Sequence, residues 1–294
     1  MQITRKTLLF DATRTIARFS SISARLTTAQ DRAATGLAIL RPSDAPAQWA
    51  QVHGLASAIT DHQRWGLNMD RAEAVYDAAD AALDEAENIV TRAIERAVQA
   101  ASQSLPTFDR TAMAPEIAGM REDLLRLANT RVAERYVFGG DDYADVPFDD
   151  LANYQGSTAS QSVLIAHDTD VELALDGQEV FKGNGDIFQL FSDFEAALNN
   201  DDSAAVAALL PQLEDARTHM VAMRQDVGFR QARVSDTRVI NESMSTLLTT
   251  RYQAAVEVDP TTAYTDLATI QTSYEAALQV TAASSGSKLF DFLR

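Results

Sequence analysis

The sequence predicts a mainly α fold: an elongated antiparallel bundle of long helices with a small β-rich inserted domain and terminal coiled-coil helices. Three observations carry this. Apolar residues recur at three- and four-residue spacing through most of the 294 residues. Glycine, aspartate and β-branched residues concentrate in one central stretch, from Tyr136 to Lys182. The two ends carry narrow apolar stripes with few capping residues, the pattern of a coiled-coil seam rather than of a broad core-facing helix.

At the N-terminal end the alternation runs through Leu9, Ala12, Ile16, Phe19, Ser23, Leu26, Gln30 and Ala33, and at the other end through Ala263, Leu267, Ile270, Tyr274 and Leu278. Leu9, Ile16, Phe19, Leu26, Leu267, Ile270, Tyr274 and Leu278 are the candidate assembly seam, expected to be buried against each other and against further copies of the chain. Asp44, a candidate N-cap followed two residues later by Pro46, opens a long helix. Its stripe runs through Leu55, Ile59, His62, Gly66, Met69, Ala72, Tyr76, Ala79, Leu83, Ala86, Val90, Ala93 and Ala97 to about Ser102. At ~1.5 Å per residue such a helix is a rod of roughly 75 Å, so an elongated molecule is expected. Pro106 interrupts, and Ile117, Met120, Leu124 and Leu127 mark a return helix ending near Arg135.

In the centre, Val163 to Ile165 is apolar, and Val171, Leu173 and Leu175 alternate before Asp176-Gly177, a hairpin signal. The insertion is expected to add outer contacts more than core ones. Ile187 to Leu198 and Ala204 to Leu210 read as short helices. A second long helix follows through Met220, Met223, Val227, Val234, Ile240, Met244, Leu247, Ala254 and Val258, and Asp259-Pro260 ends it. The stripes of both long helices read as intramolecular core. The expected segments are 1–44, an assembly helix; 45–134, the first half of a rod; 135–185, the β-rich insertion; 186–258, the second half of the rod; and 259–294, a second assembly helix.

Composition narrows the function. A net charge of −17 repels nucleic-acid phosphates and anionic lipid, so the expected partner is protein, with neither nucleic-acid binding nor membrane insertion. No window approaches eighteen consecutive apolar residues, and the first ten residues lack a long apolar region and a small-residue cleavage site. With no cysteine, thiolate chemistry and disulfides are excluded. His53, His62, His167 and His219 stand in no ligand spacing and read as packing or surface residues. Asp141, Asp142, Asp145, Asp149 and Asp150 do not follow a calcium-loop pattern and read as a solvated acidic turn. Gly183-Asn184-Gly185 lacks the lysine and serine of a phosphate loop. No catalytic, cofactor or metal residue emerges, and an enzyme is not expected.

Several motifs carry a resemblance. Thr35-Gly36 followed by Arg41-Pro42-Ser43-Asp44-Ala45-Pro46 resembles the N-terminal signature of the flagellin superfamily. Arg135-Tyr136-Val137-Phe138-Gly139-Gly140, with Pro147-Phe148 after it, resembles the point where the hook-filament junction branch of that superfamily, the FlgL type, leaves its helical domain for a β-rich one. Asp259-Pro260 with Ala263 to Leu267, and the closing Leu289-Phe290-Asp291-Phe292-Leu293, are similar to that branch's C-terminal helix and tail. Within the middle, between residues 150 and 250, the match is one of layout. Two departures concern the turn: Leu37 to Leu40 is more apolar than the usual one, and Ala45 replaces a commoner acidic residue.

The resemblance implies a structural subunit of the bacterial flagellum at the hook-filament junction. It implies self-assembly into a ring, contact with a neighbouring hook-associated protein and with flagellin, a cytosolic export chaperone, and an extracellular location reached without a cleaved signal peptide. A short flagellin that forms the filament itself is the alternative within the class. Outside it stands a soluble helical adaptor or chaperone-like binding module, which predicts stable, protected termini in the isolated protein.

Overall fold

The structure, a computed structural model, describes the backbone of residues 2–43, 45–102, 106–142 and 144–292, and side chains over 13–43, 45–102, 106–142 and 144–282. Asp44 lies outside the described residues, as do the side chains of Leu9, Ala12, Leu289 and Phe290. In chain order the elements are α1 (Gln2–Thr35), α2 (Pro46–Ala100), α3 (Thr107–Ala112), α4 (Ala114–Ala128), β1 (Arg131–Val132), β2 (Arg135–Tyr136), β3 (Ser162–Ala166), β4 (Thr169–Glu172), α5 (Gly177–Lys182), α6 (Ile187–Asn199), α7 (Ser203–Val256) and α8 (Pro260–Phe292). They divide into two compact units, residues 61–245 and residues 1–60 with 246–294.

In the larger unit α2 and α7 run antiparallel, each presenting a strict seven-residue apolar column. Met69, Tyr76, Leu83, Val90 and Ala97 of α2 are fully buried, as are Val206, Leu213, Met220, Val227 and Val234 of α7. Beside these columns lies a polar ladder. Arg238 meets Asp70 at 2.8 Å and Glu73 at 2.9 Å, the Gln231 amide donates to Asp77 at 2.9 Å, and Arg224 meets Asp80 at 2.8 Å and also Asp84. As the numbers rise along α7 they fall along α2, which fixes the direction.

Ala204 to Leu210 is not a separate helix. It is the first part of α7, which carries Pro211 near its start at the cost of one backbone hydrogen bond. The return helix stops at Ala128 instead of near Arg135, because Asn129 leaves helical geometry and a short antiparallel pair, β1 and β2, follows. Past Val234 the expected α7 stripe fails: Ile240, Met244 and Leu247 are exposed.

The hairpin also differs from expectation. Strands β3 and β4 pair antiparallel through a turn at His167-Asp168, with a register irregularity between Leu164 and Ala166. Asp176-Gly177 instead opens α5, where the Asp176 carboxylate caps the helix by accepting from the Gln178 N–H at 2.8 Å. Nor is the insertion peripheral. Ile165, Val171, Leu173 and Leu175 join the main core, together with an aromatic cluster in which Phe181 lies 5.1 Å from Phe138, 5.6 Å from Phe148 and 5.9 Å from Phe188. A hairpin and a loop too small to enclose a core of their own complete the face that α2, α4, α6 and α7 leave open.

At one end of this unit the buried Arg110 side chain holds two connections together. Its Nε donates to the Ala100 carbonyl at 2.9 Å and a terminal N–H to the Ser102 carbonyl at 3.0 Å, and it pairs with Asp201, whose other oxygen accepts from the Thr107 hydroxyl at 2.5 Å. The Thr107 hydroxyl, then the Arg110 guanidinium, hold the Asp201 carboxyl below the usual carboxylate range. A depressed folded pKa gives stabilisation that is complete above the unfolded value and lost as pH falls through the folded one. Thermal unfolding between about pH 5 and pH 2 is therefore expected to show a smaller loss of stability in Asp201→Asn than in the parent protein. Equal acid sensitivity in the two would contradict this role.

Candidate assembly surface

The helices that carry the candidate seam, α1 and α8, pack together in the smaller unit. Helix α1 ends because Gly36 takes a left-handed turn, φ +71°, and its N–H donates to the Arg32 carbonyl at 2.8 Å. The following residues are strapped to the α7–α8 connection. Leu37 pairs with Glu257 as an antiparallel bridge, the Ala38 N–H donates to Val256 at 2.6 Å, and the Val258 N–H donates back to Gly36 at 2.9 Å. Ile39, Val52 and Val256 close a small core beneath, with Trp49 and Tyr252 against it. Asp259 starts α8 by accepting from the Thr261 N–H at 3.1 Å, and Pro260 occupies the first helical position, where no N–H is needed. The two turns thus bring α1 and α8 side by side.

Along that contact Phe19 and Leu26 of α1 are half-buried, as are Leu267, Ile270 and Tyr274 of α8, while Ala263 is buried; the Phe19 and Tyr274 rings lie 5.2 Å apart. On α1 the covered positions at helical spacing are Thr15, Phe19, Ile22, Leu26, Ala29 and Ala33, a set that shares Phe19, Leu26 and Ala33 with the stripe read in the sequence. Ala29 is buried where Gln30, expected in the stripe, is exposed, while Ile22 and Ser23 are both half-buried. Ile16 is 68% exposed and Leu278 is 44% exposed: neither belongs to the contact made within the chain. With Phe19 level with Tyr274, helical spacing puts Ile16 and Leu278 on the same edge of the pair. The opposite edge is basic. Arg14, Arg18, Arg25 and Arg32 fall within about 40° of one another around α1, and the first three are exposed. Arg25 and Arg32 line a cleft of about 410 Å³ with Asp266, Thr269 and Ile270. The sequence reading missed this stripe, although its four-seven-seven spacing was visible.

The remaining signature residues serve local geometry. Pro42 and Ser43 lie in an exposed turn, and Pro46 is the first residue of α2. In the larger unit Arg135 donates to Gln161 at 2.9 Å, Tyr136 lies under the Arg131 guanidinium at 5.7 Å, and Phe138 is fully buried. Gly140 has φ +62°, and a Cβ there would stand 1.8 Å from the Ser157 carbonyl oxygen. Gly140→Ala is expected to cost ~2 kcal/mol, read as a lower denaturant midpoint at unchanged slope.

The histidines are dispersed. His53 is exposed, His167 is exposed beside Asp168, His219 bonds the Glu179 carbonyl at 2.9 Å, and His62 bonds Asn241. Among the described residues no three His, Asp or Glu side chains converge as metal ligands, and no helix is long and apolar enough to cross a membrane. What the smaller unit offers is a helix pair with one apolar and one basic edge.

Comparison with known proteins agrees with this geometry. The bacterial flagellin N-terminal helical region matches residues 9–141. Flagellar hook-associated protein 3 of Escherichia coli K12 is 29% identical over 150 residues, which cover 48% of this chain and 47% of that protein. The matched stretch thus spans about half the length of that relative. Among solved structures, flagellar hook-associated protein-3 of Legionella pneumophila superposes with a TM-score of 0.63 at 15% identity, covering 69% of this chain and 98% of the other. FlgL of Xanthomonas campestris gives 0.61 at 19% identity, with 68% and 99% covered. At these identities the structures establish a shared fold.

Proposed function

We propose that this chain, whose residues 9–141 match the bacterial flagellin N-terminal helical region, is a structural, non-catalytic subunit that joins the flagellar hook to its filament. The observation that carries the reading is the unfinished surface of the α1–α8 pair. Phe19, Leu26, Leu267, Ile270 and Tyr274 are only half-buried within one chain, and Ile16 and Leu278 stay exposed beside them. An apolar edge on a narrow helix pair gains most by burial against the same kind of pair from a second copy. Residues 1–44 and 259–294 would be the assembly segments, with Phe19, Leu26, Leu267, Ile270 and Tyr274 shared between the contact within the chain and the contacts between copies, and Ile16 and Leu278 given to the contacts between copies alone. The relative of similar sequence from Escherichia coli, a hook-associated protein, supports contact with hook-side proteins, and the junction reading adds contact with filament proteins. Export by the flagellar route with a cytosolic chaperone, and a location outside the cell, follow from the same reading.

Immunogold labelling of isolated flagella tests it. One narrow band where hook meets filament is expected. Label along the whole filament would instead identify a flagellin, and label confined to the cytoplasm would indicate a soluble adaptor.

A further inference from the structure

The apolar columns of α2 and α7 each end in a polar residue, and the two polar residues meet. Seven residues before Met69 stands His62, and seven after Val234 stands Asn241. The Asn241 amide donates to the His62 carbonyl at 3.1 Å, which turns its oxygen toward the ring; that oxygen lies 2.6 Å from Nδ1, so Nδ1 carries the proton and donates. Asn241 is 8% exposed. With His62 level with Asn241, the antiparallel register sets Met69 level with Val234, Tyr76 with Val227, Leu83 with Met220, Val90 with Leu213 and Ala97 with Val206.

We propose that the His62–Asn241 pair specifies the alignment of α2 against α7. The other features of this face repeat and so discriminate poorly. The apolar columns recur every seven residues. The acids of α2, at 70, 73, 77, 80, 84 and 87, alternate in threes and fours, and their partners Arg224, Gln231 and Arg238 are seven apart. A displacement of one heptad therefore re-pairs most of the ladder. It does not re-pair the last layer, because it sets Asn241 level with Met69 or His62 level with Val234, and a buried amide or imidazole without a partner is costly. Other non-repeating ties exist: Arg110 joins the end of α2 to Asp201 before α7, and Val52 of α2 shares a small core with Val256 of α7. The Tyr76 hydroxyl donates to the Glu172 carbonyl at 2.6 Å, and Arg230 pairs with the Glu172 carboxylate. The test leaves all of these ties intact, so it isolates the polar layer.

The chain has no cysteine, so cysteines at exposed Ala81 and Asp236 can carry a pair of nitroxides in the full-length protein. Pulsed dipolar spectroscopy of the refolded parent is expected to give one distance. His62→Leu/Asn241→Leu is expected to raise the Tm, since an apolar layer replaces a polar one, and to add a second distance shifted by about 10 Å, the length of a heptad. The exchanged pair His62→Asn/Asn241→His keeps a polar layer and is expected to restore the single distance. A single unshifted distance in the double leucine variant would overturn the proposal, and so would two distances that persist in the exchanged variant.

Discussion

Phe181→Ala is expected to lower the stability of the larger unit by about 3–5 kcal/mol in urea unfolding. The ring is 1% exposed and sits among Phe138, Phe148 and Phe188, with edge-to-face geometry toward the first two. These neighbours come from the entry to the insertion, its loop and α6, so the cavity left by alanine has walls fixed by three separate segments and little freedom to collapse. Leu151→Ala in the same insertion is the control. That side chain is 78% exposed, and its replacement is expected to change stability by less than ~0.5 kcal/mol. Equal, small effects of both would return the insertion to the peripheral role that its sequence suggests.

Leu267→Asp is expected to abolish incorporation into flagella while leaving the unfolding of the larger unit within ~0.5 kcal/mol of the parent. Leu267 is half-buried on the α8 face that meets α1, and the substitution places a charge where assembly would remove the remaining water. Ile270→Asp should be the milder change. Ile270 lines the cleft that also holds Arg25 and Arg32, and a guanidinium can partly compensate an aspartate there. Incorporation scored by immunoblot of sheared flagella, with far-UV circular dichroism of the purified variants, separates assembly from folding. Normal incorporation of Leu267→Asp would remove the seam from the assembly surface.

Sequence reading succeeded where one periodicity persists without interruption. From Met69 to Ala97 every position of the α2 stripe is fully buried, because apolar residues hold both the seven-residue column and the positions three further on. On α7 the same reading lost the column at Asn241. The next apolar residue after Val234 in near-helical spacing was Ile240, one position away, and the stripe followed it onto the solvent face. A polar residue at a column position looks like the end of a column, although here it is the column's last layer. The shift on α1 has a similar origin: Ile16, Phe19 and Leu26 fit one alternation and Phe19, Ile22 and Leu26 fit another, and only the partner helix chooses between them.

Asp176-Gly177 misled for a chemical reason. The aspartate oxygen that accepts from an N–H two residues on serves a tight turn and a helix N-cap equally well, and α5 decides for the cap. The aromatic cluster was out of reach because its members span residues 138 to 188 and share no local pattern. The acidic ladder on α2 was legible in its spacing, but it acquires meaning only when Arg224, Gln231 and Arg238 arrive opposite it.

Deleting the gene for this chain in its own bacterium, and examining the cells by electron microscopy alongside the culture medium, tests the junction role most directly. The account predicts cells that keep their hooks, lack filaments and release flagellin into the medium, with filaments restored by the intact gene and not by Leu267→Asp. Filaments of normal length and number on the deleted cells would contradict it.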